Sequence, residues 1–293
     1  MTREVKQHET QVNDVRLCWF EWGKANSQPT ILLIHATGFH SRCWDQVIKH
    51  LGDRHVIAID QRGHGRSSDN GPVPWRVYGQ DLIEFIQTLD LQDVILAGHS
   101  MGGYSAAVAL TQIADRIRSA VLIDPVIFSP DIYTGEINDP SELLKQASEH
   151  PVARRRNHFV DRDAMYDNFV GRGSYASWTQ EALQDYCQWG LLPDEEQGGF
   201  RLACSPQIEA SIYVGSQASS IGSALKDIPV PVTVLRAKQR DEGSTTLDFT
   251  KSPTWENLAN QFKQGRDVYL PDKTHFIPMQ DPALVAGYIL GDC

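Results

Sequence analysis

The sequence predicts an α/β fold in which a mostly parallel central sheet is flanked by helices and interrupted by an inserted helical cap. Short, continuous apolar runs alternate with helix-like stretches, this alternation stops over residues 126–228, and it resumes afterwards. Strands of a parallel sheet are buried on both faces and therefore carry continuous apolar runs. We predict one core formed by residues 1–125 and 229–293, with a cap segment at residues 126–228 inserted between its halves.

The first predicted element is an antiparallel hairpin, because polar and apolar residues alternate along Val12–Trp22 after a similar run nearer the N-terminus. Asn13-Asp14 marks its turn. The core strands follow as apolar runs: Ile31–His35, Val56–Asp60, Val94–Ala97, Val121–Asp124, Val232–Leu235 and Arg266–Pro271. Helices are predicted at Tyr78–Leu89 and Tyr104–Ile113, in the gaps that a parallel sheet needs for its crossovers.

The cap segment differs from the core in composition, because aromatic residues are spaced among polar helical stretches. They are Phe128, Tyr133, Phe159, Tyr166, Phe169, Tyr175, Trp178, Tyr186, Trp189 and Tyr213. Such spacing suits the hydrophobic core of the cap itself as well as the lining of a substrate pocket. If these residues line a pocket, the substrate carries a largely apolar acyl or alcohol group.

The composition is typical of a globular enzyme. A chain of 293 residues with 41% hydrophobic content can bury one large core and an inserted subdomain. Its 27 Lys and Arg residues against 37 Asp and Glu residues give a formal net charge of -10. This charge disfavours nucleic acid and anionic membrane surfaces as partners, so we expect a small-molecule partner. No pattern in the sequence predicts the oligomeric state.

The N-terminal residues and the cysteines bear on location and on metal binding. Residues 1–6 are polar and no apolar stretch approaches the ~20 residues that span a bilayer, which predicts a cytoplasmic protein. The 5 cysteines are scattered without CxxC or Cys/His spacing, which favours free thiols in a reducing compartment. We therefore expect no metal site, and the chemistry considered below requires no cofactor.

The most informative motif follows the apolar run Val94–Ala97. There the chain reads Gly98-His99-Ser100-Met101-Gly102, and a stretch of small residues continues as a predicted helix. A serine on so sharp a turn between strand and helix projects its hydroxyl into a site, and the glycines on either side let the two elements pass closely. The motif predicts Ser100 as a nucleophile.

Four motifs occur in order along the chain. They are His35-Ala36-Thr37-Gly38-Phe39, Asp60-Gln61-Arg62-Gly63-His64-Gly65-Arg66-Ser67, Gly98-His99-Ser100-Met101-Gly102 and Thr274-His275-Phe276. On these motifs the chain resembles the α/β-hydrolase superfamily over nearly its whole length, in particular its capped branch of serine esterases, lipase-like and dehalogenase-like proteins. The resemblance implies the α/β-hydrolase fold.

The resemblance also implies roles for particular residues. His275, after the last predicted strand, takes the position of the catalytic histidine. The backbone N–H groups of Thr37 and Met101 take the position of the oxyanion hole. In the loop that carries Thr37, this chain has Ala36 where relatives usually have glycine, and alanine resists positive φ where glycine does not.

The carboxylate partner of His275 has three candidates, because superfamily members carry it after either the sixth or the seventh core strand. Asp124 ends the apolar run of the sixth strand and is favoured. Asp248 and Asp241 follow the seventh strand, in a segment without the glycine that is common there.

Ser100, His275 and an acid together predict a serine hydrolase that cleaves small-molecule carboxylic esters through an acyl-enzyme. Lactonases and carbon–carbon bond hydrolases use the same residues and remain alternatives, as do thioesterases and amidases. Dehalogenases and epoxide hydrolases are disfavoured, since the resemblance would require an aspartate in place of Ser100. A small-molecule receptor with negligible turnover is the alternative from another class.

Overall fold

The centre of the molecule is a twisted sheet, which we describe from a computed structural model covering residues 4–24, 29–133, 135, 137–240 and 248–293. Eight strands form this sheet within the described residues. They are β1 (Val5–Val12), β2 (Val15–Trp22), β3 (Ile31–Ile34), β4 (Val56–Ile59), β5 (Val94–His99), β6 (Ile117–Ile123), β10 (Val232–Arg236) and β11 (Gly265–Tyr269), with β7 to β9 lying in the cap segment described below.

The order of strands across the sheet is β1-β2-β4-β3-β5-β6-β10-β11. The β1/β2 and β2/β4 pairs are antiparallel. All the other neighbouring pairs, from β4/β3 to β10/β11, are parallel. The predicted hairpin and the mostly parallel sheet are therefore confirmed. In this register Ile34 pairs with Gly98 and His99 pairs with Ile123, so the segments after β3, β5 and β6 emerge side by side at one edge of the sheet.

Helices cover both faces of the sheet. Those of the core are α1 (Asp45–Ile48), α2 (Trp75–Thr88), α3 (Met101–Ile113), α8 (Ile277–Gln280) and α9 (Pro282–Leu290). Apolar residues of α2 and α3 pack in one buried cluster, and those of α1 and α9 pack in another on the opposite face. The helix predicted from Tyr78 begins earlier, at Trp75, directly after Pro74.

The cap segment connects β6 to β10. It contains α4 (Pro140–Glu149), α5 (Arg162–Phe169), α6 (Gln180–Trp189) and α7 (Pro206–Gly215). It also contains a small antiparallel sheet of β7 (His158–Phe159), β8 (Leu191–Pro193) and β9 (Phe200–Leu202). The sequence predicted the helices of this segment but not its strands, because strands of two or three residues are too short to show a period of two.

Shorter 3₁₀ helices connect these elements at Ser41–Trp44, Ala114–Arg116, Pro130–Ile132, Pro151–Arg154, Gly173–Ser177, Ser216–Ala218, Gly222–Asp227 and Ala259–Gln261. Aromatic residues of the cap segment, among them Trp178 and Tyr186, share a buried cluster with Phe39 of the core. Ile208 and Ile212 of α7 pack into the main core cluster. The division at residues 126 and 228 stays a prediction. No helix among the described residues is long and apolar enough to cross a membrane.

Candidate active site

Ser100 lies at the sharp turn between β5 and α3. Its backbone has φ 57° and ψ -116°, a conformation that is strained for any residue except glycine. The Ser100 N–H donates to Ile123 O at 3.0 Å, and this bond ties the turn to the end of β6. A Cβ atom at Gly98 would lie 2.3 Å from the carbonyl oxygen of Gly102, so the close pass of strand and helix requires glycine there. The predicted turn is present.

A hydrogen-bonded chain joins Ser100 to His275 and His275 to Asp124. His275 Nε2 lies 3.0 Å from Ser100 Oγ, and His275 Nδ1 lies 2.6 Å from Asp124 Oδ2. An ionised carboxylate only accepts hydrogen bonds, so Nδ1 carries the proton and Nε2 is left to accept from the serine hydroxyl. Although 175 residues separate Ser100 and His275 in sequence, the parallel sheet brings them together.

Asp124 is completely buried, and its second oxygen is held by three donors. Asp124 Oδ1 accepts from the Ala237 N–H at 3.0 Å, from Ser252 Oγ at 2.5 Å and from Thr254 Oγ1 at 3.2 Å. These donors come from the end of β10 and the loop after it. They fix the carboxylate in the orientation that presents Oδ2 to His275, and they satisfy a charge that would otherwise be costly to bury.

The other candidate acids lie elsewhere or are not described. Asp248 accepts hydrogen bonds from the N–H and the hydroxyl of Thr250, at 2.9 and 2.6 Å, and these bonds lower the pKa of its carboxyl. Among the described residues it makes no hydrogen bond to His275. Instead, the Thr250 carbonyl accepts from the His275 N–H at 2.8 Å, so Asp248 shapes the turn that carries this acceptor. Asp241 lies outside the described residues.

His99 supports His275 from behind. Its Nε2 donates to the backbone carbonyl of His275 at 2.8 Å, and the two rings lie 5.1 Å apart. Complete burial lowers the pKa of His99 well below that of a free imidazole, and the neighbouring His275 lowers it further. His99 therefore stays neutral and donates one hydrogen bond.

Of the two residues of interest for an oxyanion hole, Thr37 lies on the loop after β3 and Met101 begins α3. Thr37 is almost fully buried and lines the same cavity as Ser100. In the described part of the chain, neither the Thr37 N–H nor the Met101 N–H has a hydrogen-bond acceptor. The positive φ of this loop, +76°, lies at Gly38, and Ala36 has no positive φ. The alanine is therefore compatible with the turn.

Two neutral histidines brace this loop from below. The Gly38 N–H donates to His64 Nε2 at 3.0 Å, while His64 Nδ1 donates to the Arg62 carbonyl at 2.8 Å. His35 Nε2 accepts from the Gln61 N–H at 2.9 Å. Burial lowers the pKa of both His35 and His64 to about 3, so both rings stay neutral and keep an acceptor nitrogen.

A buried ion pair of the cap segment lies against the same loop. Arg155 donates to Glu209 at 2.6 Å and to the Tyr186 hydroxyl at 3.3 Å. A Cβ atom added to Gly38 would lie 2.7 Å from Glu209 Oε1, so Glu209 of α7 touches the turn of the loop. No sequence pattern predicts this pair, because Arg155 belongs to the run Arg154-Arg155-Arg156, which is typical of a solvated helix face.

Ser100 and His275 open onto a cavity of about 410 Å³. Core residues form one side of it, including Phe39, Trp75 and Phe276, and the cap segment contributes Tyr213 and other residues of α4 and α7. Most of this wall is apolar. Arg240 and Lys251, on the loop after β10, are the lysine and arginine side chains of the wall within the described residues.

A family model described as the α/β hydrolase family matches residues 31–287, and the chain belongs to that family. It is similar to 2-(acetamidomethylene)succinate hydrolase of Mesorhizobium japonicum, with 30% identity over 83% of each chain. It is also similar to esterase YbfF of Escherichia coli, with 29% identity over 57% of this chain and 76% of that protein.

A solved structure titled E-2-(acetamidomethylene)succinate hydrolase superposes with a TM-score of 0.75 at 24% identity, and the match covers 98% of both chains. At this identity the structural likeness shows the fold alone. Family and named relatives together make this chain a hydrolase of the α/β-hydrolase fold.

Proposed function

We propose that this hydrolase cleaves carboxylic esters through a covalent acyl-enzyme on Ser100. The observation that carries the proposal is the hydrogen-bonded order Asp124, His275, Ser100, with distances of 2.6 and 3.0 Å between neighbours. A serine next to a histidine that is oriented by a buried carboxylate is the arrangement that activates a hydroxyl for acyl transfer. Similarity to an esterase supports an ester as substrate.

In the proposed reaction, Ser100 Oγ attacks the carbonyl carbon while its proton passes to His275 Nε2. Asp124 holds the imidazole and stabilises its positive charge without taking the proton. The Thr37 and Met101 N–H groups donate to the oxyanion. The ester C–O bond then breaks, and His275 returns the proton to the leaving alkoxide. A water deprotonated by His275 releases the carboxylic acid and restores the serine.

The test is steady-state hydrolysis of p-nitrophenyl acyl esters. We expect Ser100→Ala to lower kcat by at least about 10³-fold, because no other group supplies the nucleophile. Ser148→Ala, at an exposed position of α4, is the matched control and should retain the wild-type rate. Circular dichroism establishes that every variant is folded.

Failure of folded wild type to hydrolyse any ester would overturn the proposal. Turnover of a lactone or of a carbon–carbon substrate would then identify one of the alternatives that use the same three side chains. Saturable binding of a small molecule without multiple turnovers would identify a receptor.

A second candidate function is hydrolysis of an N-acyl substrate that carries carboxylates, as in the name of the Mesorhizobium relative. The observation that favours it is the pair Arg240 and Lys251 in the wall of the Ser100 cavity, since both cations attract a carboxylate. Both also lower the pKa of the nearby Asp248 carboxyl. The negative charge of this carboxylate offsets part of their positive charge.

The two candidate functions differ in how they depend on this charge. If the substrate carries carboxylates, Lys251→Gln should lower kcat/KM for a carboxylate-bearing N-acyl substrate relative to a neutral ester by about tenfold, the loss expected for one charge-assisted hydrogen bond. An unchanged ratio would count against this second candidate. Lys238→Gln, which removes an exposed lysine outside the cavity, is the matched control.

A further inference from the structure

A second cavity lies beside the catalytic one, and the two share one side chain. This side cavity measures about 290 Å³ and is lined by Phe128 together with Ile127, Leu225, Trp255 and other residues. Phe128 also lines the catalytic cavity of about 410 Å³. Phe128 therefore lies at the boundary of both cavities.

The backbone around Phe128 is fixed. The Val126 N–H donates to the Ser100 carbonyl at 3.2 Å, and the Ile127 carbonyl accepts from the Trp255 N–H at 2.9 Å. The Phe128 N–H donates to the Tyr133 hydroxyl at 3.1 Å. Val126 lines the catalytic cavity and Ile127 lines the side cavity, so these consecutive residues face opposite sides of one chain segment.

The Phe128 side chain is less constrained than its backbone. It is half-buried, and its ring makes an edge-on contact with the ring of Tyr133, at 6.0 Å between centroids. A change of its side-chain rotamer alters none of the backbone hydrogen bonds named above. Such a change would join the two cavities.

The chemistry of the side cavity selects its ligand. Among the described residues that line it, none carries a charge, and most of the wall is aliphatic or aromatic. Removal of a hydrocarbon chain from water into such a wall is favourable in proportion to the area buried. The side cavity therefore suits a hydrocarbon chain and disfavours a charged group.

We propose that the side cavity receives the far end of a hydrocarbon chain of the substrate, and that the Phe128 ring is the movable partition which limits chain length. This proposal rests on the proposed ester hydrolysis, because the chain must be attached to the group that Ser100 attacks. Among the described residues, Phe128 is the one that lines both spaces, so we place the passage from Ser100 to the side cavity at this residue.

The first test is the chain-length profile of kcat/KM for p-nitrophenyl esters from acetate to dodecanoate. We expect Phe128→Ala to raise the ratio of dodecanoate to acetate by about tenfold or more, because each methylene that enters an apolar wall contributes about fourfold. Ser220→Trp, which fills the exposed side of the side cavity, should reverse this gain in the Phe128→Ala background. Ser148→Trp, which lines neither cavity, is the matched control.

A parallel series of alkyl acetates tells which half of the ester carries the chain. A shift of the profile in either series supports the proposal. An unchanged ratio in both series for folded Phe128→Ala overturns it.

A binding measurement separates this proposal from the proposed function. A terminally brominated long-chain alcohol, added to Ser100→Ala protein, should quench tryptophan fluorescence saturably because Trp255 lines the side cavity. The quenching should be much weaker in Ser100→Ala/Trp255→Phe. Quenching in a protein whose wild type hydrolyses no ester supports the side cavity and overturns ester hydrolysis. Ester turnover without quenching overturns the side cavity alone.

Discussion

The two oxygens of the Asp124 carboxylate have different partners. Oδ2 faces the imidazole of His275, while Oδ1 is bound by one backbone and two hydroxyl donors. Because the two oxygens have separate partners, the carboxylate cannot rotate. Oδ2 therefore accepts the proton of His275 Nδ1 in a hydrogen bond, and Nε2 faces Ser100. At the scale of single residues, the position of this carboxylate decides which nitrogen can act as a base.

The first prediction concerns the choice of acid. Asp124→Asn should lower kcat for ester hydrolysis by about 10³-fold or more, because an amide can donate to Nδ1 and so favours the wrong tautomer. Asp248→Asn removes a charge only from the turn at Thr250 and should lower kcat by less than about tenfold. The measurement is kcat for both variants beside wild type. A collapse with Asp248→Asn and an active Asp124→Asn would contradict this assignment.

The second prediction concerns the loop after β3. Gly38→Ala places a Cβ at a backbone φ of +76° and 2.7 Å from Glu209 Oε1, so either the Glu209 carboxylate or the loop must shift. We expect kcat to fall by about 10²-fold, the loss typical of one misplaced oxyanion donor. Ala36→Gly is the comparison, because Ala36 has no positive φ and the new glycine mainly adds freedom to the unfolded chain. An equal loss of kcat in both variants would count against this account.

At the scale of elements, the cap segment and the core meet at the loop after β3. Glu209 on α7 touches the turn at Gly38. Its partner Arg155 directly follows the 3₁₀ helix Pro151–Arg154. Burial raises the pKa of the Glu209 carboxyl, whereas Arg155 lowers it. The ion pair therefore links the fold of the cap segment to the shape of the loop that carries Thr37.

The third prediction follows from this pair. Arg155→Met leaves Glu209 buried without its cation, which should lower the free energy of unfolding by about 3 kcal/mol. Arg155→Met/Glu209→Met removes both charges and should recover most of that loss. Urea denaturation of both variants measures the two values. Equal destabilisation in the single and the double variant would contradict the role assigned to the buried charge.

At the scale of the whole molecule, four buried histidines surround the site. Burial lowers the pKa of His35 and His64 to about 3, that of His40 to about 4, and that of His99 well below its usual value. In the unfolded chain each of them binds a proton near pH 6.5. The stability that they contribute is thus fully present above this pH and is lost as the pH falls towards their folded pKa values.

The fourth prediction is acid sensitivity. Each of these histidines should remove about 1.4 kcal/mol of stability per pH unit below about pH 6.5, so the four together remove roughly 5 kcal/mol by about pH 5.5. That is comparable with the whole stability of many domains. Asp185 acts in the opposite sense, because burial raises its carboxyl pKa to about 6.

Urea midpoints at about pH 7.5 and about pH 5.5 measure this loss. His40→Gln should reduce the difference between the two midpoints, whereas His50→Gln, at an exposed position, should leave it as in wild type. A midpoint that does not change with pH in wild type would contradict the prediction.

Much of the fold could be predicted because its signals are local. Continuous apolar runs predicted the parallel strands within a few residues, and the glycines around Ser100 predicted the sharp turn that the structure contains. The small sheet of the cap segment could not be predicted, because its strands β7 to β9 have only two or three residues each. A pattern so short carries no period.

The sequence by itself predicted an α/β fold and Ser100 at a sharp turn, because strand, turn and helix signals lie within a few residues of it. The resemblance of four motifs to the α/β-hydrolase superfamily implied the particular fold and His275. It left the acid open among three aspartates, since the choice depends on the distance in space from each carboxylate to His275 and not on the separation along the chain. Only the tertiary structure decided which carboxylate meets His275, and it revealed the contact of Glu209 with the turn at Gly38. The partners in these contacts lie far apart along the chain, and only the parallel sheet and the packing of the cap segment on it bring them together.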